Sequence, residues 1–139
     1  GGVFAYVHHN HSVGVLLELN CSTDFVARSE NFRTLASELS LQIAGLAPKY
    51  VSFEDVPAEV LDEARRQAAE DPSMARVPEG RREEVLSNKV KKTIGEQVLL
   101  LQTWVKDESV TIGDLVRKVI AETGENIVVR RFSRFKLGE

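Results

Sequence analysis

Two periodicities divide the chain. From Val13 to Cys21 apolar residues take every second position: Val13, Val15, Leu17, Leu19 and Cys21 fall on one side, and Leu16, Glu18 and Asn20 on the other. That alternation predicts a half-buried β-strand. Residues 3–8 (Val-Phe-Ala-Tyr-Val-His) are rich in β-branched and aromatic side chains and predict its partner, with the polar His9-Asn10-His11-Ser12 as the hairpin turn. From about Glu30 the spacing becomes helical, and Phe32, Leu35, Ala36, Leu39, Ile43 and Leu46 trace one stripe. Thr23 and Ser29 can each cap a helical start. A short helical turn over 24–27, a break and a long helix ended by Pro48 are therefore predicted.

Further along, Pro57 suits the first position of a second helix, with Val60, Leu61, Ala64 and Ala68 as its modest apolar face. Pro72, Pro78 and Gly80 bound an exposed loop. A third helix is predicted from Arg81 to about Leu100, burying Leu86, Val90, Ile94, Val98 and Leu101, with its lysines and arginines solvated. Residues 102–110 read as a plain connection. Thr111 opens a fourth helix, with Asp114 three residues on, Val110 able to pack on Leu115 as a staple, and Gly124 as its C-terminal stop. Asn126 to Leu137 reads as a last strand. The order β-β-α-α-α-α-β predicts an α+β fold: a small three-stranded antiparallel sheet covered by about four helices, closed by a long-range pairing of the first and last strands.

Composition narrows the function classes. A chain of 139 residues supports one domain and one sizeable core, and the hydrophobic fraction of 42% with 28% charged residues is that of a soluble globular protein. The net charge of −3 gives no general attraction to nucleic acid. The single cysteine, Cys21, excludes an internal disulfide and suggests a reducing, intracellular setting; two copies of it could still bridge two chains. No apolar run is long enough to span a membrane. The start Gly1-Gly2-Val3 and a lone internal methionine, Met74, suggest a processed or truncated piece.

Three constellations carry candidate chemistry. His8-His9-Asn10-His11 would need three or four converging ligands to hold a metal, and neighbours in a hairpin diverge, so a polar turn is the simpler reading. Cys21 with a histidine and Asp24 resembles a nucleophile set, but strand alternation puts Cys21 on the apolar face, where thiols are inert. No phosphate loop or zincin motif is present, and an enzyme is not expected. Arg130-Arg131-Phe132-Ser133-Arg134-Phe135-Lys136 interleaves cations with aromatics, which suits either a single-stranded RNA platform or an ordinary strand with arginines outward. Phe25, just after a capped turn, reads either as core or as a side chain presented to a partner.

The segment Thr23-Asp24-Phe25-Val26-Ala27-Arg28, preceded by Gly14-Val15-Leu16 and Glu18-Leu19-Asn20-Cys21, resembles elongation factor Ts, the guanine-nucleotide exchange factor of elongation factor Tu. The likeness continues in Tyr50-Val51-Ser52, Glu54-Asp55-Val56-Pro57 and Glu125 to Phe132, covering nearly the whole chain in order. The resemblance implies that residues 1–139 are a single core and dimerisation domain, without the small ubiquitin-associated-like domain with which family members begin. It implies a cytoplasmic protein of translation that is no enzyme, needs no cofactor and contacts neither nucleic acid nor membrane directly. Its partner would be elongation factor Tu, contacted by Thr23, Asp24, Phe25, Val26 and His8. Phe25 would wedge near the partner's magnesium and phosphate site. A homodimer would supply what longer members achieve with two subdomains, with Cys21 a candidate dimer contact. The turn His9 to Ser12 departs from the glycine-rich turn usual in the family. Rival readings are an RNA-binding module using the C-terminal basic-aromatic strand, and a purely structural dimerisation domain.

Overall fold

The computed structural model describes all residues from Gly1 to Glu139. β1 (Gly2–Val7) and β2 (Val13–Cys21) form the expected hairpin, followed by α1 (Asp24–Ala27), α2 (Glu30–Leu46), α3 (Ala58–Ala69) and α4 (Arg82–Gly95). A short hairpin, β3 (Thr103–Trp104) and β4 (Asp107–Thr111), leads into α5 (Ile112–Thr123), and β5 (Ile127–Lys136) closes the chain. The fold is α+β, with a three-stranded antiparallel sheet as its base.

The strand order is β1-β2-β5. The first and last strands do not pair with each other, as the closing contact had been expected to require; each pairs with β2, which has the most buried residues of the three and takes the central place. Val15, Leu17 and Leu19 point to the helical layer and are buried, while Leu16 points away and is exposed. α2 and α5 lie on the inner face. Phe32, Leu35, Leu39 and Ile43 from α2, Ile112, Val116 and Val119 from α5, and Ile127 and Val129 from β5 complete one core with β2. Phe4 meets Phe32 at a ring separation of 5.9 Å in a tilted pair.

β5 contains a bulge. Glu18 pairs with Arg131 but Leu19 pairs with Val129, so Arg130 has no partner in the ladder. The extra residue shifts the phase of the strand. Ile127 and Val129 face inward before it, and Phe132 and Arg134 face inward after it. The reading that put the arginines outward is thus corrected at Arg134. Its guanidinium turns in and donates to the Ala44 carbonyl from Nε at 3.2 Å and Nη2 at 3.1 Å. Those bonds serve one of the carbonyls that the end of α2 leaves without a helical partner.

Two expectations fail between residues 95 and 111. The third helix stops at Gly95 rather than near Leu100. Beyond it, a better set of partners is available: Leu99 N–H donates to the Tyr50 carbonyl at 2.8 Å and Leu100 N–H to Val51 at 3.1 Å. Leu99 enters the main core and Leu101 is left exposed. The supposed connection 102–110 is the β3–β4 hairpin, held against α2 by the fully buried Gln42. Gln42 Nε2 donates to Gln102 Oε1 at 3.1 Å and to the Thr103 carbonyl at 3.0 Å, and its Oε1 accepts from Val105 N–H at 3.1 Å. Every polar atom of that amide has a partner, which is the condition for burying it without a large penalty.

α3 and α4 pack on each other beside this layer, around a second, smaller cluster of Val56, Ile94 and Val98. α3 begins one residue later than expected, with Pro57 as its cap rather than its first residue.

Candidate functional site

The loop between β2 and α2 is built from local bonds. Thr23 is in extended conformation (φ −127°, ψ 154°), and its hydroxyl oxygen accepts from Val26 N–H at 3.2 Å, capping α1. One turn later Ser29 does the same for α2: its Oγ accepts from Phe32 N–H at 3.3 Å while donating to the Val26 carbonyl at 2.7 Å. Two caps six residues apart force the four-residue helix to break and restart, and the break fixes which way its side chains point.

Within α1 the three motif residues separate by exposure. Val26 is 4% exposed and packs in the main core. It anchors the turn and does not offer its side chain to a partner. Asp24 is exposed. Phe25 is 84% exposed, more than any other large hydrophobic side chain in the protein. Most phenylalanines are interior, so a phenylalanine projecting from a doubly capped turn with a buried anchor beside it is the informative exception. The core alternative for Phe25 is excluded by this placement.

A long-range bond completes the loop. Glu125, between α5 and β5, accepts from Thr23 N–H with Oε1 at 3.0 Å and from the Thr23 hydroxyl with Oε2 at 2.6 Å. Sequence reasoning gave Glu125 no role. The available signal was its position one residue past the helix-ending Gly124, at the entrance to the last strand, but nothing local links it to Thr23.

Cys21 pairs with Ile127 and is half-buried on the helix-covered side of β2, with Sγ 3.2 Å from the Thr23 carbonyl. The thiol belongs to the same loop and does not lie on the open face of the sheet. His8 is not part of this site. It follows β1 at the other end of the hairpin, its N–H donating to the Val13 carbonyl at 2.9 Å. The length of β2, roughly 27 Å at the usual rise, separates it from Thr23. Its ring Nδ1 lies 2.8 Å from the Tyr6 hydroxyl and its ring centroid 4.2 Å from that of His9. Nowhere in the chain do three histidine, cysteine or carboxylate side chains converge as a metal would need.

The open face of the sheet carries several exposed apolar side chains on either side of a charged pair. Val3 and Val7 of β1, Leu16 of β2, and Val128 and Phe135 of β5 are all exposed large hydrophobics. Near its middle, Glu18 accepts from Asn20 Nδ2 at 2.9 Å and Arg131 Nε at 2.9 Å, bonds that hold its carboxyl below the ordinary carboxylate range. The basic-aromatic strand divides its cations and aromatics between its two faces. Phe132 and Arg134 face the helices, while Arg131, Ser133 and Phe135 face out. No helix is long and apolar enough to cross a membrane.

Comparison with known proteins finds relatives of this sequence. The family model described as elongation factor TS matches residues 1–139. Elongation factor Ts of Petrotoga mobilis is 45% identical over 139 residues, spanning all of this chain and 71% of that protein. Elongation factor Ts of Methylacidiphilum infernorum is 47% identical over 139 residues, again the whole chain and 68% of that protein. A chloroplastic elongation factor Ts from Cyanidioschyzon merolae is 44% identical over 142 aligned positions, with 100% and 68% of the two chains covered.

Proposed function

The chain belongs to the elongation factor Ts family and so to translation elongation, and from that premise we propose that it is a guanine-nucleotide exchange factor acting on elongation factor Tu. The observation that carries this reading is Phe25, 84% exposed on a turn whose Val26 is buried. An aromatic side chain offers large contact area at small rotamer cost, and such residues dominate interface energies. Phe25 and Asp24 enter the partner near its magnesium and phosphate site, and the displacement weakens the hold on GDP. Nucleotide and exchange factor then oppose each other through one coupling free energy, equal in both directions. The chain performs no covalent step and needs no cofactor, and its setting is the cytoplasm.

Stopped-flow release of labelled GDP from elongation factor Tu tests this. Phe25→Ala removes no core contact, so its denaturation midpoint should match the parent chain. Its acceleration of GDP release should fall roughly thirtyfold, the loss of a hot-spot contact of about 2 kcal/mol. A Phe25→Ala protein that releases GDP as fast as the parent ends the wedge reading.

We also propose that residues 1–139 act as one core and dimerisation domain, and that two copies associate through the open sheet face. Val3, Val7, Leu16 and Phe135 are exposed there around Gly14 and Ala5, and Val128 is exposed beyond the Glu18–Arg131 pair, more apolar side chains than monomers usually leave uncovered on one face. Cys21, on the opposite side of the sheet, is not part of this contact. Sedimentation showing only a 15.5 kDa species at micromolar concentration would exclude it.

A further inference from the structure

We propose that Glu125 is a positioning residue for the exchange motif, holding the Thr23 turn in the one conformation that projects Phe25. The inference rests on the wedge reading of Phe25 and goes beyond it by assigning a residue distant in sequence to the same task.

Thr23 offers two donors, its N–H and its hydroxyl, and both end on the Glu125 carboxylate, at 3.0 Å and 2.6 Å. Donating its proton to Glu125 leaves the Thr23 hydroxyl free to accept from Val26 N–H at 3.2 Å, so the carboxylate fixes the rotor that caps α1. Hydrogen bonds to a charged acceptor are stronger than neutral ones, and two from one residue fix orientation as well as distance. Glu125 is itself held from the α5 side: Gly124 takes a left-handed conformation (φ 72°), and Glu125 N–H donates to the Thr123 hydroxyl at 3.4 Å. That hydroxyl donates to the Val119 carbonyl at 2.9 Å. No ion pair in the protein includes Glu125, so Thr23 is the group its carboxylate serves. The turn is thereby referenced to α5 and β5, not only to the strand that leads into it.

The test uses the whole chain and four variants: Phe25→Ala, Glu125→Ala, Glu125→Gln and the double variant Phe25→Ala/Glu125→Ala. Each is assayed for GDP release from elongation factor Tu and for amide hydrogen exchange at Val26. Glu125→Ala should slow release roughly tenfold, the consequence of losing bonds to a charged acceptor, and should speed exchange at Val26 while amides of β2 and α2 stay protected. Glu125→Gln keeps a carbonyl oxygen for Thr23 N–H and should recover part of the rate. In the Phe25→Ala background Glu125→Ala should slow release by much less than tenfold, because the main contact it positions is already gone and only that of Asp24 remains. Parent-like release by Glu125→Ala, with Phe25→Ala defective, overturns the positioning role and leaves the wedge intact. An equal loss in both backgrounds also overturns it, since the effect would then bypass Phe25. Parent-like release by Phe25→Ala removes the wedge reading and this inference with it.

Discussion

β2, α2 and α5 bury Leu17, Leu19, Phe32, Ile43 and Ile112 to no measurable exposure, whereas α3 has no buried residue along its twelve. The two regions are held by different forces. The sheet layer rests on area removed from water, worth roughly 25 cal/mol per Å². The α3–α4 arm rests on a smaller cluster, three buried residues flanked by half-buried Val60, Leu61, Ala64 and Val90, together with a set of ion pairs: Arg65 with Glu83 at 2.7 Å, Arg66 with Glu70 at 2.9 Å and with Glu63, and Lys89 with Asp71 at 3.4 Å. Such exposed pairs are each worth about 0–1 kcal/mol. The Thr23–Arg28 turn is built entirely on the first region: its anchor, Val26, is in the main core and its clamp, Glu125, follows α5. The proposed wedge would need a base that does not yield, and the arm could not provide one. The arm is the part expected to open locally at low cost.

The sharpest way to break this contrast is to cut each cluster once. Phe32→Ala should cost about 3–5 kcal/mol and unfold the whole domain in a single transition, as followed by urea denaturation. Ile94→Ala in the arm should remove about 2–4 kcal/mol, with its loss confined: amides of α3 and α4 lose hydrogen-exchange protection while those of β2 and α2 keep it, and GDP release continues. Loss of protection throughout the chain in Ile94→Ala would mean that the two regions form one cooperative unit. The smallest effect concerns pH on the sheet face. The Glu18 carboxyl is lowered from 4.5 by bonds from Asn20 and Arg131. Its contribution is therefore complete above the unfolded value and is lost as pH falls through the lower folded one. Stability measured from pH 5 down to pH 3 should fall less steeply in Glu18→Gln than in the parent, and added salt should narrow the difference.

What could be read in advance was what is decided locally. The alternation of Val13 to Cys21, the caps at Thr23 and Ser29, the Thr111–Asp114 capping box and the left-handed Gly124 each depend on a few neighbouring residues, and each is found as the chain predicts. The exposure of Phe25 was only half legible: the turn was visible, the direction of its side chain was not, and resemblance to a family decided between core and contact. The misses share a non-local cause. α4 yields at Gly95 because Tyr50 and Val51, nearly fifty residues earlier, offer carbonyls to Leu99 and Leu100. Arg134 turns inward because a bulge opposite Leu19 shifts the strand. Glu125 belongs to the motif because α5 and β5 bring it to Thr23.

The pairing of β2 with β5 also sets an order of events at the ribosome. Glu125 is 102 residues beyond Thr23, so at ordinary synthesis rates roughly 5 to 20 s pass between them. Throughout that interval β2 has a hairpin partner on one edge and bare amides and carbonyls on the other, the condition in which strands recruit wrong partners. The nascent chain can fold its first hairpin and α2 early, but its presenting turn is fixed only when the last strand has emerged. A factor that serves elongation therefore becomes competent to do so only after its own β5 has been made.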